Sequence, residues 1–184
     1  MSAIVGAMIP PPTAIETERL VLRPSGPSDA ERAFEIQSNP RVTRMLRMAG
    51  FPPDRDELDA WFAGHGREWA QGEAYRFAIL HEGRMIGLTD IDEIGGGEGD
   101  LGFWLDEPAW GQGFAREAAA ALVRFGFETA RLIRLRSGHA ADNPASGRVL
   151  TALGFRHLDD TTVPSRSRGV EIAQRRYAMN RPER

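Results

Sequence analysis

The sequence predicts an α+β fold with one core, and three observations carry that prediction. The chain has 184 residues, the size of one ordinary domain. Its apolar and charged fractions, 41% and 27%, are those of a globular protein. The hydrophobic period also switches along the chain in a fixed order: one strand, two helices, three strands, a helix, a strand, a helix and two strands. No internal repeat or low-complexity linker interrupts that order.

The opening MSAIVGAMIPPPT has a short apolar run without a basic flank, and its prolines fall where a signal peptide would present its cleavage region. Residues 1–13 therefore read as a flexible N-terminal extension, and residues 14–184 as a single domain. ERLVLR at 18–23 alternates apolar and polar positions as a strand does, and Pro24 and Gly26-Pro27 stop it. Ser28-Asp29 offers an N-cap for a helix striped by Ala30, Ala33, Phe34 and Gln37, which ends before Asn39-Pro40. A longer helix follows Pro52-Pro53, over residues 54–71, with Leu58, Trp61, Phe62, His65 and Trp69 at helical spacing. Core packing is the economical account of those aromatics. Residues 75–80, 84–94 and 100–105 read as strands of an antiparallel meander, broken at Glu82-Gly83 and at Gly95-Gly96-Gly97. The Ala-rich stretch 115–130 is the strongest helix, with Ala118, Leu122 and Phe125 on one stripe. Residues 132–137 return to a strand pattern, and a short helix over 143–153 stops at Gly154. Strands near 155–158 and 171–179 close the chain.

Composition excludes several chemistries. The chain has no cysteine and no lysine, so all 23 of its positive side chains are arginine. Disulfides, a cysteine nucleophile, a thiolate-zinc cluster, a Schiff-base lysine and a phosphate-loop lysine are all closed. A net charge of −3 argues against a nucleic-acid-binding surface. The arginines that crowd the C-terminal end, from Arg166 to Arg184, read as a solvated strand and tail. No apolar stretch approaches the length of a membrane span, and the cytoplasm is the expected location. His65, His81, His139 and His157 show no metal-ligand spacing, so no metal is expected.

Two segments suggest a ligand. In DEPAWGQGFA, Gly111 and Gly113 flank Gln112 where a strand gives way to the Ala-rich helix. Glycines there free successive N–H groups to point outward, and the helix dipole adds partial positive charge, which together suit a pyrophosphate without lysine. The same glycines also serve a plain packing turn. In NPASGRVLTALGF, Asn143, Ser146 and Leu150 share a helix face. Asn143 is either a simple N-cap or a donor to an amide ligand, and Ser146 either a first-turn hydroxyl or a donor to a developing thiolate.

These pieces, with TERLVLRP at 17–24, WGQGFAREA at 110–118, NPAS at 143–146 and LGF at 153–155, resemble the GNAT superfamily of acetyl-CoA-dependent N-acetyltransferases. Within it they most resemble the RimJ and RimL ribosomal-protein acetyltransferases, in order and over nearly all of residues 14–180. The resemblance implies a GNAT-like mixed, mostly antiparallel central sheet. It implies acetyl-CoA as co-substrate, with the backbone of Phe103, Trp104 and Leu105 pairing with the pantetheine arm. The family's pyrophosphate loop falls on Trp110, Gly111, Gln112, Gly113, Phe114 and Ala115, with tryptophan in place of the usual Gln or Arg at the first position. Asn143 matches the asparagine that contacts pantetheine.

The implied chemistry is direct attack of a primary amine on the thioester, the amine belonging to a protein N-terminus or a small molecule. An alkylammonium has a pKa of roughly 10, so a base must take its proton and a donor must protect the leaving thiolate. The tyrosine that many relatives carry seven residues after the asparagine is Leu150 here. Ser146 is the candidate acid instead. Asp100 is the candidate base, with Asp90 and Asp92, which share a face by period two, as alternatives. Leu150 also keeps open a non-catalytic acyl-CoA-binding module. The acceptor walls should come from residues 27–72 and 159–169, where Asp54, Asp56, Glu57 and Asp59 either favour a cation or serve a helix first turn. The oligomeric state stays open, a homodimer being suggested by family analogy alone, and no direct nucleic-acid or membrane partner is expected.

Overall fold

The structure, a computed structural model, describes residues 9–12 and 14–183. Most of the expected N-terminal extension, residues 1–8 and 13, lies outside the described residues. Of the rest, Ile9 packs against the core, and its carbonyl accepts the Trp69 indole N–H at 2.8 Å.

Among the described residues the chain forms strands β1 (Ile15–Glu16), β2 (Val21–Pro24), β3 (Tyr75–His81), β4 (Arg84–Gly95), β5 (Glu98–Leu105), β6 (Arg134–Ala140), β7 (Arg156–Ser165) and β8 (Val170–Asn180). The helices are α1 (Ala30–Gln37), α2 (Pro40–Thr43), α3 (Arg55–Gln71), α4 (Phe114–Arg124) and α5 (Pro144–Leu153). One eight-stranded sheet runs in the order β1-β2-β3-β4-β5-β6-β8-β7. Every neighbouring pair is antiparallel except β5 and β6, which run parallel.

Alternation along the strands builds two cores. Tyr75, Phe77, Ile79, Ile91, Leu101 and Leu105 pack with α4 and α5 through Ala118, Leu122 and Leu150. Ala78, Met85 and Leu88 turn to the opposite face and meet Ala30, Ala33, Leu58 and Phe62 of α1 and α3. The aromatics of α3 are core residues, as expected: Phe62 is fully buried, and Trp69 packs edge-on to Tyr75 and Phe77.

The differences from expectation lie where the sequence signal is weak. β1 has two residues, too short for a period. Asn39-Pro40 ends α1 as expected but also starts α2, because Asn39 accepts from the Arg41 amide at 2.9 Å and Pro40 takes the first helical turn. The Ala-rich helix keeps its α form only to Arg124 and widens to a π turn over Phe125–Thr129. There Gly126 lies so close to the sheet that a Cβ would stand 2.8 Å from Ile91 Cδ1. β7 runs well past residue 158 as an edge strand. Most of it is exposed on both faces, so no alternation marks it, and its edge position tolerates Pro164.

Candidate active site

The parallel pair shapes the site. β5 and β6 are in register only at Glu98–Arg134, Gly99–Leu135 and Asp100–Arg136. Ser137 Oγ still donates to the Leu101 carbonyl at 2.8 Å, and beyond that the strands part. Gly102–Leu105 on one side and Gly138–Ala140 on the other thus border an opening. Because the strands are parallel, their C-terminal ends lie together, and the helices that follow, α4 and α5, both present their N-termini at that open end.

The loop ahead of α4 is built to leave N–H groups free. Gly111 and Gly113 have φ of +75° and +83°, in the left-handed region that favours glycine. Gln112 Nε2 donates to the Pro108 carbonyl at 2.8 Å, and Arg19 Nη1 donates to the Gln112 carbonyl at 2.9 Å, so both of these loop acceptors are engaged by the protein itself. Gly113 caps α4 without a side-chain hydrogen bond to the first-turn amides. Arg19 is itself fixed by Glu117, with Nε on Oε2 at 2.8 Å. The Trp110 indole donates to the Leu105 carbonyl at 2.9 Å, tying the loop to β5. Phe114 is buried between the Arg19 guanidinium and His81, so only its backbone is offered to a ligand, and Ala115 is half-buried. Phe103 and Trp104 are half-buried on the open stretch of β5, and Leu105 is buried.

Asn143 caps α5, its Oδ1 accepting from the Ser146 amide at 3.4 Å while its Nδ2 donates to Ser146 Oγ at 3.0 Å. The capping role is therefore real. It leaves the Ser146 hydroxyl acting as an acceptor, so its own proton remains to be donated. Leu150, the position at which the family resemblance implies a tyrosine, is fully buried in the core. His139 is a packing residue: its Nδ1 lies 2.8 Å from the Ala140 carbonyl, which places the proton there, and Nε2 accepts from Tyr177 at 3.4 Å.

Asp90, Asp92 and Asp100 lie on the sheet face turned toward α1 and α3; Asp90 and Asp92 flank Arg76 of β3, and Asp100 stands opposite Asp92. Arg76 donates to Glu68 Oε2 of α3 at 2.7 Å, to Asp92 Oδ2 at 3.2 Å and to Asp90 Oδ2, and Trp61 covers its guanidinium at 5.1 Å. Burial opposes the Arg76 charge, but Glu68, Asp90 and Asp92 together overcome it and raise its pKa. Burial and the neighbouring Asp92 push Asp90 up to about 7 against the pull of Arg76. Burial and Glu93 push Asp100 up to about 6, although Arg136 Nε donates to it at 2.9 Å. His65, buried with Nδ1 at 2.8 Å from Ser25 Oγ, is pushed down to about 4 by burial and by Arg76. Among the described residues no group of three His, Asp or Glu side chains is placed to hold a metal.

The expected acceptor walls meet each other. At the β7–β8 turn the Arg166 amide donates to the Arg47 carbonyl at 2.8 Å, and its guanidinium grips Glu57 at the start of α3. Arg168 Nη1 and Nη2 each donate to Asp142 at 2.9 Å, and its Nε donates to the Arg44 carbonyl at 2.8 Å. Of the acidic run at the α3 start, Asp54 caps the helix and Glu57 is the partner of Arg166. Asp142 and Arg168 are absent from the candidates read in the sequence, since the two are far apart in the chain and neither lies in a motif.

The acetyltransferase (GNAT) domain family matches residues 19–156 of this chain. An uncharacterized N-acetyltransferase, p20, of Bacillus licheniformis is 29% identical over 143 residues, covering 76% of this chain and 80% of the relative. A ribosomal-protein-serine acetyltransferase of Escherichia coli (strain K12) is 32% identical over 87 residues, covering 46% of this chain and 49% of the relative. Among solved structures, the ribosomal L7/L12 alpha-N-protein acetyltransferase RimL in complex with coenzyme A superposes with a TM-score of 0.82 at 20% identity, covering 91% of this chain and 97% of that one. The match over most of the chain, on a sheet opened between two parallel strands, makes this protein a member of the GNAT acetyltransferase family, with ribosomal-protein acetyltransferases among the proteins it is similar to.

Proposed function

We propose that this protein transfers the acetyl group of acetyl-CoA directly to a primary amine, on a protein N-terminus or a small molecule. The observation that carries the proposal is the parting of β5 and β6 beyond Asp100 with the N-termini of α4 and α5 at the open end. The residues present fit the co-substrate: left-handed Gly111 and Gly113 beside an uncapped helix start suit the pyrophosphate. In this reading the open edge of Phe103, Trp104 and Leu105 pairs with pantetheine, Asn143 orients it, and the Ser146 hydroxyl donates to the departing thiolate. A carboxylate of the Asp90, Asp92 and Asp100 group takes the ammonium proton, Asp100 being the member picked out in the sequence. The relatives named as ribosomal-protein acetyltransferases support a protein N-terminus among the acceptors. No described helix is long and apolar enough to cross a membrane, and the cytoplasm is the proposed location.

The test is calorimetric titration with acetyl-CoA and CoA, followed by thiol release against a panel of peptides and amines. Wild type should bind in the micromolar range and turn over at least one amine. Gly113→Pro, folded but distorted at the helix start, should lose binding. One observation favours a second reading: full burial of Leu150 where relatives carry an acid suits a binding module without catalysis. Tight binding with no thiol release on any amine would establish that reading instead.

A further inference from the structure

Of Asp90, Asp92 and Asp100, the carboxylate beside the open stretch of β5 is not the one that the sequence picks out. Asp100 is the last β5 residue in register with β6, and its carboxylate is turned to Arg136 on the closed side of the junction. Asp90 stands opposite Gly102, two residues further along β5 and inside the stretch where β6 has parted. Gly102 has no side chain, and the Asp90 carboxylate occupies that space: a Cβ at Gly102 would stand 2.4 Å from Asp90 Oδ1. Asp90 thus reaches across β5 toward the opening, while Arg76 holds its other oxygen, Oδ2, from behind.

We propose that Asp90 is the general base of acetyl transfer, reaching the acceptor ammonium over Gly102, with Arg76 as its positioning residue. The proposal rests on the acetyl-transfer reading above. The ammonium gives one proton to Asp90, and the freed nitrogen lone pair forms the C–N bond to the acetyl carbonyl carbon. The C–S bond breaks, with its electron pair going to sulfur. The second nitrogen proton leaves as the amide forms and balances the proton delivered to sulfur at the Ser146 side. The products are the N-acetyl amide, the CoA thiol and one proton, which leaves Asp90 for solvent by way of partly exposed Asp92.

The groups around Asp90 suit a base working near neutral pH. Arg76 from β3 favours its anion; Asp92 on its own strand and Glu68 from α3 oppose it, as does burial. Asp100 from β5 and His65 from α3 stand at the margins of the same cluster, Asp100 beside Asp92 and His65 beside Arg76 and Glu68. The balance leaves the carboxylate able both to accept a proton and to release it.

The experiment measures thiol release from acetyl-CoA by wild type, Asp90→Asn and Asp100→Asn. The acceptors are the best alkylamine of the panel and hydroxylamine, which is already neutral at pH 8. Asp90→Asn should lower kcat with the alkylamine by about 100-fold or more, remove the acidic limb of its pH profile and leave the acetyl-CoA KM within about twofold. With hydroxylamine the loss should stay under about tenfold, because no proton need be taken before attack. Asp100→Asn should lose far less than Asp90→Asn with the alkylamine. Equal loss on both acceptors, or a larger loss in Asp100→Asn, overturns the assignment. A wild type that binds acetyl-CoA and acetylates no acceptor overturns the transfer reading itself, and this inference with it. If Asp90→Asn fails to bind acetyl-CoA or to fold, Gly102→Ala takes its place, since the added methyl displaces Oδ1. Full alkylamine turnover by a folded Gly102→Ala overturns the proposal.

Discussion

Asp142 holds both terminal nitrogens of Arg168 at 2.9 Å, one residue before Asn143. The same carboxylate accepts from Arg44 at 3.0 Å, and Arg168 also donates to the Arg44 carbonyl. The β7–β8 turn, the segment after α2 and the entry to α5 are therefore one latch, which joins the acceptor wall to the residue proposed to orient pantetheine. Arg168→Gln should loosen all three. Because Asp142 is half exposed, the stability cost should be small, roughly 0.5–1 kcal/mol. The functional effect should be larger: an increase of several-fold in KM for both acetyl-CoA and the acceptor with kcat little changed. Steady-state kinetics with each substrate varied in turn measures this, and a fall in kcat alone would count against the latch.

Burial and Arg76 push His65 well below its ordinary pKa, to about 4. The unfolded chain therefore binds a proton in a range where the folded protein does not. The stability this group contributes is fully present above the ordinary histidine pKa of about 6.5 and is lost as pH falls from there toward 4. The loss attributable to His65 should approach ~3 kcal/mol at most. Urea unfolding at pH 7.5 and pH 5 measures it. His65→Gln should be the less stable protein at pH 7.5 but should show a clearly smaller drop between the two pH values than wild type.

Leu150 is fully buried, so restoring the tyrosine of relatives should not restore an acid. Leu150→Tyr inserts a larger ring and a hydroxyl into a packed core, at a cost of about 1–3 kcal/mol. Thermal unfolding should show a lower Tm and thiol release should show no gain. A gain in kcat would mean that the hydroxyl had found the opening.

Asn143 and Ser146 can be separated by what each atom does. Asn143→Asp keeps the oxygen that accepts from the Ser146 amide and should leave stability within about 0.5 kcal/mol, whereas Asn143→Ala should cost about 1 kcal/mol. Both should weaken acetyl-CoA binding, because both lose the Nδ2 donor. Ser146→Ala should retain binding and lower kcat by roughly tenfold or more, as expected for a donor that acts on the leaving group. Calorimetry and kcat on the same three variants decide whether the cap is also a working site.

How much of this was legible in the chain follows from the range of the forces involved. Gly111, Gly113, Asn143 and Ser146 are local: left-handed turns, a helix start and an N-cap are written within a few residues, and the structure has them where the sequence puts them. The core stripes of α3 and α4 are equally plain, because burial of a helix face imposes its own period. β7 carries no legible strand signal past residue 158, because an edge strand exposed on both faces has no alternation. The Asp142–Arg168 latch joins residues 26 positions apart with no pattern between them.

The sequence by itself determined the order of the longer elements, the resemblance to the GNAT family and the absence of thiol and lysine chemistry. Only the tertiary structure decided which carboxylate faces the opening. Asp90 and Asp92 share one face of β4 by simple alternation, and no local pattern ranks either against Asp100 on the next strand. The rank comes from cross-strand register, which pairs Asp100 with Arg136 where the strands are joined and sets Asp90 against Gly102 where they have parted. Register is settled by the packing of whole strands, so no short stretch of the chain contains it.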